Sequence, residues 1–122
     1  MPTLTTITNE ISTGMTCKMV ILAVRDDDTS HEECIEYMRE EHAPLADELP
    51  GLRRYTSSVP LDPERAGYDY VAQLWFDDPA TMNESFESGA GQAVQEDATT
   101  FLDTEATEMI PVADETTHVA PE

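Results

Sequence analysis

Apolar residues along this chain fall into six short stretches, separated by polar breaks that proline and glycine punctuate. The first, Cys17 to Arg25 (CKMVILAVR), is a nearly continuous apolar run of strand length, as expected of a central strand. In the second, Cys34, Ile35, Tyr37, Met38 and Leu45 recur at roughly helical spacing, which predicts an amphipathic helix over about 30–41. Ser30, with Glu32 and Glu33 behind it, reads as an N-cap followed by acids in the first turn, where the helix dipole favours them. His42-Ala43-Pro44 then interrupts the pattern. Proline disfavours the α conformation at the residue before it, so the spacing predicts a kink or break at Ala43 and a short second piece at 44–48. Pro50-Gly51 ends the segment.

A second strand is predicted at about 51–59, and a turn-rich connection over Pro60 to Gly67 leads to a third at Tyr68–Phe76. Asp78-Pro79 reads as an N-cap with proline at the first helical position. The second helix carries Met82 and Phe86 and, after a break expected at Gly89–Gly91, Ala93 and Val94. That Gly-x-Gly follows a helix and lacks a third glycine, so it is not a dinucleotide fingerprint. Phe101 and Leu102 open the last element, with a fourth strand at Thr107–Ala113. Residues 1–15 read as a flexible N-terminal extension, 16–113 as the folded domain and 114–122 as a flexible tail.

The order β-α-β-β-α-β is the ferredoxin-like plan of an α+β domain, with helices on one face of a four-stranded antiparallel sheet. The other face is left bare, and a monomer rarely leaves so large an apolar face in water. Pairing sheet to sheet with a second copy, a homodimer enclosing a cavity, is the expectation. Period-2 alternation puts Ala72, Leu74 and Phe76 on the helix side and turns Gln73 and Trp75 to the bare face. With Leu52 on the helix side, Arg53, Tyr55 and Ser57 point the other way. Uniform apolarity in the first strand leaves its two faces undistinguished, the set Met19, Ile21 and Ala23 or its opposite.

Composition changes the picture in one respect. The 122 residues hold 26 Asp and Glu against 6 Lys and Arg, a net charge of −20, spread along the whole chain. Clustered cations for phosphate binding are lacking, which argues against nucleic acid and against anionic membranes as partners. No apolar run approaches the roughly 20 residues of a membrane-spanning helix, and the N-terminus lacks the pattern of a signal peptide. The cytoplasm is the expected location. A uniform acidic coat repels itself unless salt screens it, and the screening length shrinks from about 10 Å at 0.1 M to about 3 Å at 1 M. The charge therefore points to a halophilic, salt-rich interior. Cys17 and Cys34 are expected to be reduced, buried thiols. Asp26-Asp27-Asp28 lacks the alternation of a calcium loop, and His31, His42 and His118 are scattered, so no metal and no cofactor is expected.

His42, at the interruption and one turn after Met38, has two readings: a histidine capping a helix C-terminus, or an acid/base group aimed into a pocket. Joined by Tyr55, Gln73 and Trp75, it makes an apolar aromatic pocket with a few polar groups, the usual recipe for a small-molecule site. His42 and Tyr55 are the candidate catalytic pair, with Gln73, Trp75, Met38 and Met19 as substrate contacts. Packing at a dimer interface explains Tyr55 and Trp75 equally well.

The motif E-x-x-x-Y-x-R-E-x-H-A-P-L followed by L-P-G-L-R-R-Y resembles the EthD family, named for ethyl tert-butyl ether degradation. Tyr68 to Asp77 is similar to that family's third strand, and Ser88-Gly89-Ala90-Gly91-Gln92-Ala93 to its second-helix signature. The resemblance spans about residues 17–112. It implies a dimeric α+β barrel whose relatives include muconolactone-type isomerases and polyketide cyclases, and it carries an oxidoreductase label. Three classes of function follow. One is a cofactor-free enzyme on a small hydrophobic, aromatic or lactone substrate, with His42 as acid/base and Tyr55 bonding a carbonyl or enolate. The others are an accessory role in a degradation pathway and a non-catalytic binding dimer.

Overall fold

The computed structural model describes residues 16–121; the predicted extension over 1–15 lies outside the described residues. In chain order the elements are β1 (Cys17–Ala23), α1 (His31–Tyr37), a five-residue π-turn (Met38–His42), α2 (Ala43–Ala46), β2 (Arg54–Ser58), α3 (Pro63–Ala66), β3 (Tyr70–Phe76), α4 (Pro79–Glu87), α5 (Gly89–Ala98) and β4 (Glu108–Ala113). The strands form one antiparallel sheet in the order β2-β3-β1-β4, so the apolar β1 run is indeed central. This is the ferredoxin-like α+β arrangement.

Local chemistry accounts for the element ends. The Ser30 side chain accepts from Glu33 N–H while the Glu33 carboxylate accepts from Ser30 N–H, a reciprocal cap. Asp78 accepts from Thr81 N–H and starts α4 before Pro79. Two predicted breaks turn out differently. The helix does not break at Ala43, which keeps α-helical angles (φ −60°, ψ −40°); it widens instead, with Ala43 N–H bonded to the Met38 carbonyl five residues back. Pro44 supplies no N–H, and its ring crowds the carbonyl four residues earlier; a wider turn relieves that crowding without ending the helix. The second helix divides at Ser88, which caps α5 through Gly91 N–H, and the two glycines lie inside the first turn of α5. Gly91 is required by contact: a Cβ there would sit 2.4 Å from the carbonyl oxygens of Ser85 and Phe86.

Residues directly opposite in antiparallel strands share a face. Cys17 faces Phe76, Ile21 faces Ala72 and Ala23 faces Tyr70, and these form the helix-covered core with Met38, Leu49, Leu74 and Phe101. Tyr55 faces Leu74 and so lies on the helix side, contrary to the expectation from Leu52. Strict alternation fails just before β2. Arg53 N–H donates to the Trp75 carbonyl although Arg54 is the residue opposite Trp75, so two residues stand against one, as in a β-bulge. The bare face carries Val20, Leu22, Val71, Gln73, Trp75 and, on β4, Ile110 and Val112.

Candidate functional site

Between the helix-covered sheet face and the helices lies a cavity of about 320 Å³. The sheet contributes Ile21, Tyr55, Tyr70, Ala72, Leu74 and Met109 to its wall. The helices contribute His42, Ala46, Phe86, Val94 and Ala98. The space exists because Ala46, Ala72 and Ala98 meet where larger side chains would fill a core. None of the lining residues is a lysine or arginine.

The π-turn delivers His42 to this wall. Its Nδ1 lies 2.8 Å from Asp97 Oδ2 on α5. A carboxylate accepts, so the ring proton belongs on Nδ1 and Nε2 is left as the basic nitrogen. The other Asp97 oxygen accepts from the Tyr37 hydroxyl at 2.6 Å. That bond holds the Tyr37 phenol protonated, above its ordinary pKa. The Phe101 ring packs against both, 5.1 Å from the imidazole and 4.7 Å from the Tyr37 ring, centroid to centroid. The side chains of His42 and Asp97 are only 10% and 15% exposed. His42 is thus not a helix cap; a carboxylate and a phenol fix its tautomer and its plane.

Two phenols add to the polar part of the wall, which also holds the neutral Gln95, Thr99, Thr104 and Thr107. Burial pushes Tyr55 up to about 12, with the Asp47 carboxylate adding to the effect. Burial also raises Tyr70, which is 2% exposed, and neighbouring Tyr55, Cys34 and Asp97 oppose its ionisation further. Both therefore stay neutral donors at ordinary pH.

Of the residues expected at the site, His42 and Tyr55 come together on this cavity. Gln73 and Trp75 do not: their strand turns them to the bare face, because the cavity opens on the helix side of the sheet. There Trp75 lies between Lys18 Nζ (4.8 Å) and Arg54 (4.6 Å) and donates its Nε1–H to Glu115. Met38 is core, 1% exposed, and Met19 packs on the core's margin without reaching the cavity wall. Asp97 and Tyr70 were not foreseen. An aspartate in the last turn of a helix, where the dipole disfavours an acid, and close in sequence to the apolar Val94 and Ala98, was the available signal.

A second histidine–aspartate pair sits at the far end of β1, beside a more open and polar hollow. His31 Nδ1 is 2.8 Å from Asp69 Oδ1, which also accepts from Arg25 Nε at 3.2 Å. Asp69 Oδ2 accepts from Arg25 N–H, and Asp69 N–H donates to the Ala23 carbonyl. Among the described residues, no three His, Cys, Asp or Glu side chains gather as metal ligands, and no helix is long and apolar enough to cross a membrane.

Comparisons with known proteins find one matching family model and several structures of similar fold. The family model described as EthD domain matches residues 26–105. An EthD family protein from Bacillus halodurans is similar in structure, with a TM-score of 0.72 and 19% identity over 84% of this chain and 100% of that one. A dimeric ferredoxin-like protein from Thermobifida fusca is similar at TM-score 0.64 and 16% identity, covering 84% and 92%. A hydroxynitrile lyase from Passiflora edulis reaches TM-score 0.64 at 11% identity, covering 88% and 99%. No curated protein matches the chain.

Proposed function

Because the chain belongs to the EthD family, we propose that it converts a small hydrophobic carbonyl compound, aromatic, lactone or polyketide-like, by proton transfer and without a cofactor. The observation that carries this reading is an imidazole fixed by Asp97 and set in the wall of an apolar cavity. In the proposed step the substrate's C–H bond adjacent to the carbonyl breaks and its proton goes to His42 Nε2. The electron pair moves to the carbonyl oxygen, where the Tyr55 hydroxyl donates a hydrogen bond. Asp97 stabilises the imidazolium that forms. A hydroxynitrile lyase is among the structural neighbours, an enzyme on a similar fold, which supports an enzymatic reading. An isomerase, cyclase or lyase outcome depends on where the proton returns, and an oxidoreductase role in a degradation pathway is a less direct use of the same pair.

The test is solvent-deuterium incorporation into a panel of lactones and enolisable ketones, followed by NMR. Wild type should accelerate exchange, and His42→Ala should abolish the acceleration with the fold intact. Co-purification of a hydrophobic ligand with no exchange in any panel member would favour the alternative, a binding dimer.

We propose further that the working unit is a homodimer built on the bare sheet face. On a chain of charge −20 the centre of that face carries no acid; at one end Lys18 and Arg54 flank Trp75, with Glu115 bound to Lys18 and Trp75, and Glu108 lies at the other. A two-fold partner running the opposite way brings each end against its complement. Sedimentation in molar KCl should show a two-subunit species; a single-subunit species there would sink the proposal.

A further inference from the structure

The cavity holds more hydrogen-bonding capacity than a single base and a single donor would need. Tyr70, on β3, is 2% exposed, yet its hydroxyl makes no hydrogen bond to any described residue. The Tyr55 hydroxyl is likewise without a partner among the described residues, and both side chains line the same cavity wall. Neither oxygen is sealed in the core: among the described residues the buried side-chain oxygen without a partner is that of Ser85, so both phenols keep access to the cavity, where a ligand oxygen can meet them. Around them the wall is mostly apolar, its other polar side chains being the neutral Gln95, Thr99, Thr104 and Thr107, and it offers no permanent positive charge.

Resting on the proton-transfer reading above, we infer that Tyr70 is a second donor to the substrate oxygen, paired with Tyr55, and that the substrate is uncharged. Two neutral phenols meeting one oxygen stabilise the negative charge that develops as the proton leaves for His42. The same arrangement discriminates by charge. A carboxylate or phosphate entering this wall would lose its water and meet no lysine or arginine, and the surface it must cross carries a net charge of −20. Ionisation of either phenol would end its role as donor. Burial keeps both protonated through the neutral range.

2-Naphthol is a suitable probe, since its oxygen imitates an enol in the neutral form and an enolate when ionised. 2-Naphthoate has the same rings with a permanent charge. Fluorescence titration of wild type should show naphthol binding and at least tenfold weaker naphthoate binding. Bound naphthol should show the naphtholate spectrum at a lower pH than free naphthol does. Tyr70→Phe, nearly the same in shape, should weaken naphthol binding by about tenfold and reverse part of that spectral shift. A thermal melt of the same variant checks the fold. Naphthol binding that Tyr70→Phe leaves unchanged in both affinity and spectrum would overturn the role of Tyr70 while leaving the His42 reading standing. Naphthoate binding as tight as naphthol would overturn the uncharged-substrate inference alone. No naphthol binding by wild type would overturn both readings together. If the phenylalanine variant fails to fold, tyrosine labelled with ¹³C at Cζ in wild type reads the same point: the Tyr70 signal must move when naphthol binds, and a stationary signal refutes the contact.

Discussion

The two histidine–aspartate pairs make the same contact at the same 2.8 Å in opposite surroundings. At His31 the aspartate is shared with an arginine and a backbone N–H, the imidazole is 31% exposed and the neighbouring hollow is polar. Every acceptor there is occupied by protein, and the result is a clamp tying the end of β1 to the start of α1. At His42 the aspartate is shared with a phenol, no lysine or arginine lines the wall, and the imidazole borders an apolar cavity. A shared contact says little about purpose. What separates the two is their surroundings: one imidazole borders an open, polar hollow, the other a largely apolar chamber.

The largest expected effect tests that difference directly. Asp97→Asn should lower the catalysed deuterium exchange by about 10²–10⁴-fold, the usual range of a positioned acid–base group, measured on whichever panel member wild type turns over. Gly91→Ala should cost about 1–3 kcal/mol in denaturant unfolding, because the added methyl meets two backbone carbonyls that cannot step aside. It should disturb the His42 pair more than the His31 pair, since α5 carries Asp97. Asp69→Asn should cost about 1 kcal/mol, as the half-exposed Arg25 recovers much of its loss from water, and exchange should be unchanged. The smallest effect appears only in alkali. Tyr55 has a folded pKa of about 12 against an ordinary 10.0, so its protonated form is favoured by folding. The stability tied to that proton is complete below about pH 10 and is lost as pH rises towards 12. Tyr55→Phe should flatten part of that decline in unfolding free energy; Tyr70, Cys34, Cys17, Tyr37 and Tyr68 are also raised and share the rest.

The fold was legible because its signals were local: a central apolar run, a capping serine, an Asp-Pro helix start and four strands in a recognisable order. His42 was legible for the same reason, sitting at an irregularity that proline announces. The rest of the site depended on relations that sequence does not display. One bulged residue before β2 reversed the face of Tyr55 and brought it to the helix-side cavity. Gln73 and Trp75 face the bare side as alternation has it; they entered the expected site because a chamber was expected between two paired sheets. Asp97 lies 55 residues from its histidine, and only the docking of α5 on the π-turn brings them together.

The turn that carries His42 holds one residue more than an ordinary helical repeat, and Pro44 brings no amide of its own to the ladder. Asp97 is set in a regular helix. Their meeting therefore hangs on that extra residue: deleting it would swing the imidazole by roughly 100°, one residue's arc of an α-helix, away from the carboxylate.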